Sequence, residues 1–353
     1  MRRPLKVLFA EPPPERRVGG IETALSGLAA ALPAAEVELT RASRLDQPSV
    51  AQADVVHFHG LWEPRHHRAR AWCRKLGKPF IVSPHGMLED WAFQHRSWKK
   101  WPYFHLVERR SVGRANAILA TSEAEADTLR RWFSPEKVHV LSLGATAVPA
   151  PGHHAARQKL NLPDDEFVVL FLSRCHEKKG LHLLIEALPR IGRTTTRPIH
   201  LVVVGEGESR YVAPLRQATT SWAGNLHCTW AGAIWGDAKW DYLGAADLLC
   251  LPTFSENFGL VVVEALFAGT PVLTTFATPW PTLRGVLPVF LTPPRTDELV
   301  RALEARVQAP TPGDGERSRT RATALAAFDW SVLAPRYLAL YRQLADPSHP
   351  NAD

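Results

Sequence analysis

The sequence predicts an α/β protein built from two doubly wound, Rossmann-like parallel-sheet domains of similar size. Three observations lead there. The chain has 353 residues, more than one ordinary core needs and enough for two. Short apolar runs alternate with longer helical patterns through both halves, as strands of a parallel sheet alternate with the helices that cover it. Between the halves lies GATAVPAPGHHAARQKLNLPDDEF (144–167), rich in proline and glycine and centred on VPAPG (148–152), which reads as a linker. The expected divisions are therefore 1–148, 149–329, and a closing helix and tail over 330–353 that could return to the first domain.

In the first half, LKVLFA (5–10) reads as a strand and IETALSGLAAAL (21–32) as an amphipathic helix. DVVHFHG (54–60), PFIVSPHG (79–86), AILATS (117–122) and VHVLSLG (138–144) follow as strands, each bounded by Gly, Pro, Ser or Asn. The second half repeats the pattern with FVVLFLS (167–173), IHLVVVG (199–205), HCTWAG (227–232), DLLCLPT (247–253) and PVLTT (271–275). HLLIEALPRI (182–191) and the stretch after Gly259 read as helices, and WSVLAPRYLALYRQL (330–344) as the last one. Ligands of such domains sit beyond the carboxyl ends of the strands.

Composition excludes several classes. Apolar residues make up 45% and charged residues 22%, a globular balance. No apolar run approaches a membrane span, and MRRPLKVLFAEPPPERR has too short an apolar stretch for a signal peptide. Cys73, Cys175, Cys228 and Cys250 lie far apart without a CxxC pair, which suits ordinary thiols in a reducing cytoplasm. His57, His59, His66 and His67 resemble a metal cluster only in composition, since no carboxylate is spaced to complete it; we expect no metal and no cofactor. Residues 1–150 hold 22 Lys and Arg against 15 Asp and Glu, whereas 151–353 are balanced. An anionic partner should therefore meet the first half. No nucleic-acid motif accompanies the charge.

The chemistry concentrates in the second half. Arg174 and Lys179 stand five apart in a loop between a strand and a helix, where two cations suit a diphosphate or form a solvated pair. Gly205 and Gly207 end a strand and permit close backbone approach. They do not make a dinucleotide fingerprint, because Arg210 takes the third glycine's place and no helix clearly opens there. TWAGAIW (229–235), with Ala233 just past a strand, offers backbone groups to a flat base.

SENFGLVVVEALFAGTPVL (255–273) poses a sharper problem. Asn257, Phe258 and Gly259 form a turn, and a helix runs from about Leu260 until Gly269 caps it. Its free N-terminal amides suit an anion or a polar ligand group. Glu256 precedes the helix and Glu264 lies inside it, in an apolar run that should exclude an unpaired carboxylate. Either Glu264 has a partner or the run is not buried all round; the vicinal hydroxyls of a ribose could serve.

Together these stretches resemble the retaining glycosyltransferases of family 4 (group 1), whose architecture is GT-B, two Rossmann-like domains facing a central cleft. Glu256 and Glu264 match the family's E-x7-E signature, Arg174 and Lys179 its Arg-x4-Lys clamp, and Gly19 and Gly20 its N-terminal Gly-Gly loop. SPHGM (83–87), with His85 at a family histidine position, and AADLLCLPT extend the likeness over nearly the whole chain. One departure is SLGAT (142–146), where the family often has an Asn-Gly turn.

The resemblance implies that Glu264 holds the ribose hydroxyls and Glu256 those of the donor sugar, with Asn257, Phe258, Gly259 and Leu260 lining sugar and diphosphate. His85 and the Gly19-Gly20 loop would approach from the first domain. It also implies metal-independent chemistry, with Arg174, Lys179 and a helix dipole neutralising the leaving diphosphate, and front-face substitution that retains configuration. The donor would be a nucleoside-diphosphate sugar. The acceptor would be a glycan or polyprenyl-diphosphate-linked saccharide, probed by the first domain, in cell-surface polysaccharide synthesis. Trp62, Trp72, Trp91, Trp98, Trp101 and Trp132, interleaved with Arg and Lys and densest in SWKKWPYFHLVERR (97–110), suit either an anionic membrane face or a basic surface over core tryptophans. Alternative readings are a GT-B epimerase or hydrolase and a non-catalytic nucleotide-sugar-binding protein. A nicotinamide oxidoreductase lacks its fingerprint at AEPPPERRVGG.

Overall fold

The structure is a computed structural model that describes residues 3–13, 19–89, 101–149 and 151–346. The chain divides into two compact units, 1–145 with 328–353, and 146–327. Each is centred on one six-stranded, wholly parallel sheet.

In the first unit the strands are β1 (Leu5–Ala10), β2 (Val37–Ala42), β3 (Val55–His59), β4 (Phe80–Ser83), β5 (Ala117–Ala120) and β6 (Val138–Val140). Their order is β2-β1-β3-β4-β5-β6. The chain leaves β1 in one direction and β3 in the other, so a topological switch lies between those two strands. β3, β4 and β5 are buried throughout, as strands covered on both faces must be. The helix Gly19–Ala31 starts at the Gly19-Gly20 pair.

The last helix, Trp330–Ala345, belongs to this unit. Asp329 caps it by accepting from Ser331 N, and Trp330 seats against Gly144, where a Cβ would come within 2.8 Å of the indole. Tyr337 Oη donates to Leu141 O, and Tyr341 Oη lies 3.0 Å from His57 Nδ1.

The second unit contains β7 (Phe167–Leu172), β8 (Ile199–Val204), β9 (Leu226–Gly232), β10 (Leu248–Leu251), β11 (Val272–Thr275) and β12 (Val289–Thr292). The order β12-β11-β10-β7-β8-β9 puts the switch between β7 and β10. The crevice past their carboxyl ends is where ligands of such sheets bind. It is flanked by the loops 173–180 and 252–259, which carry Arg174, Lys179 and Glu256.

Two strands escape the sequence reading, VELTRA of β2 and VFLT of β12. Both are sheet edges with half-exposed residues, so neither shows the unbroken apolar run of an interior strand. A second difference concerns Gly205-Glu206-Gly207: contrary to expectation, a helix does open there, Ser209–Thr220. Pro214 and a largely polar face disguise it in sequence. No described helix is long and apolar enough to cross a membrane.

Candidate active site

The crevice side of the second unit is assembled by backbone fit. Gly180 adopts φ 72°, and a Cβ there would lie 2.0 Å from Pro252 O, so only glycine lets the loop after β7 lie against the loop after β10. Phe254 N and Thr253 Oγ1 both donate to Lys178 O, which locks the two loops together. On the other flank, a Cβ on Gly205 would sit 1.9 Å from Ser173 O and one on Gly207 1.8 Å from Cys175 O. Cys175 N donates to Glu206 O across this contact. The close approach these glycines permit is thus to the backbone carrying Arg174, and that side chain is exposed.

Lys179 and Glu256 form an ion pair, with about 15% of each side chain accessible. The structure thereby joins the Arg-x4-Lys and E-x7-E stretches, which lie 77 residues apart at these two positions. Glu256 N donates to Ala277 O, and Gly259, at φ 76°, turns the chain into the helix Leu260–Phe267. A Cβ on Gly259 would meet Glu256 Cγ at 2.9 Å. Phe258 is buried against Trp280, with ring centroids 5.0 Å apart. At the far end Gly269 N donates to Leu266 O and Thr270 N to Ala265 O, the paired bonds of a Schellman cap around a left-handed glycine.

Glu264 is 6% exposed within this helix, and the valines beside it are mostly buried. The partner that permits this is Lys239, whose Nζ lies 2.6 Å from Glu264 Oε1. Lys239 begins the helix Lys239–Ala245, just after the half-buried Ala233 and the loop that leaves β9. Sequence reasoning missed it, because nothing local to Lys239 marks a contact 25 residues away.

The first unit gathers histidines along β3 and past β4. His57 and His59 alternate along β3 and face the same way, with ring centroids 4.0 Å apart. His57 Nε2 lies 2.7 Å from Ser83 Oγ, and His59 Nδ1 lies 3.2 Å from His85 Nε2. His85 is 8% exposed, and its backbone is left-handed at φ 53°, unusual for a residue with a Cβ. The turn is pinned by Gly86 N donating to Glu125 Oε1, while Thr121 N and Oγ1 donate to Oε2. Burial lowers the His85 imidazole to about 4 and holds His57 and His59 well below the ordinary range, so all three are neutral near pH 7. No group of three or more His, Cys, Asp or Glu among the described residues could hold a metal.

Behind these strands Glu108 and Arg70 form a fully buried pair at 2.9 Å. Glu108 also accepts from Trp62 N at 2.8 Å, and Trp62 takes a left-handed φ of 68°. Glu108 closes a π-helical turn, Phe104–Glu108, a distortion that recurs near functional sites. Of the six tryptophans, Trp62, Trp72 and Trp132 pack on the core and Trp101 is 54% exposed. Trp91 and Trp98, with Lys99 and Lys100, lie outside the described residues.

Two six-stranded parallel-sheet α/β units place the chain in the architectural class of GT-B glycosyltransferases. Residues 41–146 match the family described as Glycosyltransferase Family 4, and residues 153–283 the one described as Glycosyl transferases group 1. The chain belongs to these group 1, family 4 glycosyltransferases. It is 30% identical over 309 residues to D-inositol 3-phosphate glycosyltransferase 1 of Catenulispora acidiphila, covering 82% of this chain and 72% of that one. A glycogen synthase of Mycobacterium tuberculosis is 27% identical, covering 82% and 68%. Among solved structures, HepE of Anabaena in complex with UDP superposes with a TM-score of 0.75 at 20% identity, covering 96% and 100%. A sucrose-phosphate synthase of Thermosynechococcus elongatus gives 0.72 at 20%, covering 97% and 99%.

Proposed function

We propose that this glycosyltransferase moves a sugar from a nucleoside-diphosphate sugar to a glycan or polyprenyl-diphosphate-linked saccharide, with retention of configuration, in cell-surface polysaccharide synthesis. The observation that carries the reading is the Lys179–Glu256 pair at the β7/β10 switch point, with Arg174 on the same loop. A diphosphate placed there meets two cations and the free amides at the start of the helix Leu260–Phe267. Glu256 accepts from hydroxyls of the transferring sugar and Glu264 from those of the ribose, while Asn257 to Leu260 line sugar and diphosphate. Solved complexes of a fold relative with UDP make a uridine donor the first to test.

Transfer breaks the bond between the anomeric carbon and the diphosphate oxygen, whose electron pair stays on the phosphate. The acceptor hydroxyl attacks that carbon from the face the phosphate leaves, and its proton passes to the leaving phosphate. Negative charge grows on the phosphate during this step, so Arg174 and Lys179 bind the transition state more tightly than the substrate. No metal has a role in this scheme.

Acceptor binding falls to the first unit, where His85 and the Gly19-Gly20 helix start stand past the sheet. The positive excess of residues 1–150 suits an anionic acceptor. Exposed Trp101, Leu106 and Val107, close to the exposed Arg109 and Arg110, suit peripheral contact with an anionic cytoplasmic membrane face.

The test is sugar transfer from UDP-, GDP- and ADP-sugars, with and without polyprenyl-diphosphate-linked saccharides, by the parent and by Lys179→Ala. Product should form only with acceptor present, and the variant should lose roughly 100-fold or more in turnover while melting as the parent does. Epimerised or hydrolysed sugar formed without acceptor, or near-parental turnover in the variant, overturns the proposal.

A further inference from the structure

We infer that Lys239 is a positioning residue for the nucleotide, holding Glu264 so that one of its oxygens is kept for ribose hydroxyls. The inference rests on the nucleotide-sugar reading of this site and deepens it.

Glu264 projects from the middle of an apolar helix whose neighbours Val262, Val263 and Ala265 are fully buried. A carboxylate there is tolerable only with a countercharge. Lys239 supplies it from a different element, with Nζ 2.6 Å from Oε1 and only 22% of its side chain exposed. Its ammonium also lies 5.6 Å from the ring of Trp240, which is itself buried, so the side chain is confined on a second side. Each carboxylate oxygen offers two acceptor positions. With Oε1 engaged by Lys239, Oε2 has no protein partner among the described residues and is free for a vicinal diol. Lys239 also follows directly on the loop leaving β9, so one short segment fixes both the backbone offered to a base and the cation behind the ribose-binding carboxylate.

This arrangement predicts discrimination at the sugar of the nucleotide, not merely affinity. A hydroxyl bonded to a charged acceptor contributes enough that its deletion costs about tenfold or more. Without Lys239 the carboxylate loses the contact that orients it and stops reading the diol.

Calorimetry with UDP, GDP and ADP and their 2′-deoxy counterparts tests this on the full chain. The parent should prefer at least one ribonucleotide over its 2′-deoxy form by about tenfold or more. Lys239→Met should reduce that preference to below about threefold, with the ribonucleotide losing more affinity than its 2′-deoxy form. Lys239→Arg, which keeps the charge, should restore most of it. Parental discrimination in a folded Lys239→Met protein overturns the inference and leaves the donor site standing. Absence of binding by the parent to any of the six nucleotides removes the donor site and the inference together. If Lys239→Met does not fold, Lys239→Met in a Glu264→Gln background, which lacks both charges, replaces it. It should match Glu264→Gln alone in ribose discrimination; a further tenfold loss would show that Lys239 contacts the nucleotide by itself.

Discussion

Glu256→Gln should leave nucleoside diphosphate binding intact, or tighten it, while removing most of the turnover. The Lys179 ammonium is engaged by the Glu256 carboxylate, and both side chains keep about 15% of their surface accessible. A diphosphate that recruits Lys179 competes with that carboxylate and also meets its like charge. A partly accessible ion pair has a net value of about 1 kcal/mol, well below its Coulomb energy, because water screens the charges and desolvation offsets the attraction. Removing the competing charge should therefore raise UDP affinity by no more than about fivefold. Turnover should fall by about 100-fold or more, since the amide no longer accepts strongly from the hydroxyls of the transferring sugar. Glu264→Gln should do the reverse and weaken UDP itself by about tenfold or more. Calorimetry with UDP and sugar-transfer assays on both variants read the two quantities separately. Equal losses of UDP affinity in the two variants would refute this division of labour, and so would a Glu256→Gln protein that binds UDP tenfold more weakly than the parent.

Two further outcomes follow from the first unit. Burial alone would raise the Glu108 carboxyl, but the hydrogen bond from His67, the charge of Arg70 and the Trp62 amide outweigh it and hold the group at about 2 against an ordinary 4.5. A folded value below the unfolded one means stability that is complete above about pH 4.5 and is lost as pH falls toward 2, in all about 3 kcal/mol. Urea midpoints measured between pH 6 and 3 should fall more steeply for the parent than for Glu108→Gln, and parallel slopes would contradict the assignment. Replacing Trp101 and Leu106 together with Ser should reduce co-sedimentation with anionic vesicles at low salt, whereas unchanged sedimentation would return this patch to an ordinary basic surface.

What the sequence discloses follows from how local each signal is. Interior strands such as FVVLFL and LLCL are legible because burial on both faces demands an unbroken apolar run. The edge strands VELTRA and VFLT share that backbone but meet solvent, and their mixed pattern does not separate them from loops. The helix after Gly259 and its glycine stop are readable for the same local reason, since capping is decided within a few residues. Contacts between distant elements have no such trace. His57 meets Tyr341 across 284 residues, and neither stretch announces the other.

Glu264 lies between these cases. Its setting in a valine run shows that a partner must exist, because a lone buried carboxylate is too costly, but the run carries no information on which residue that is. The diol expected from the sequence and the lysine found in the structure are not rivals. A carboxylate in an apolar helix needs a countercharge to be tolerable, and a cation from another element supplies it. The same reasoning separates the two glutamates of the signature. Glu256 is paired with a lysine of the Arg-x4-Lys stretch, which the proposed diphosphate would also engage, whereas Glu264 is paired with one outside both motifs. Spacing within a motif thus marks candidate groups, while the charges that pair with them come from wherever the fold brings them.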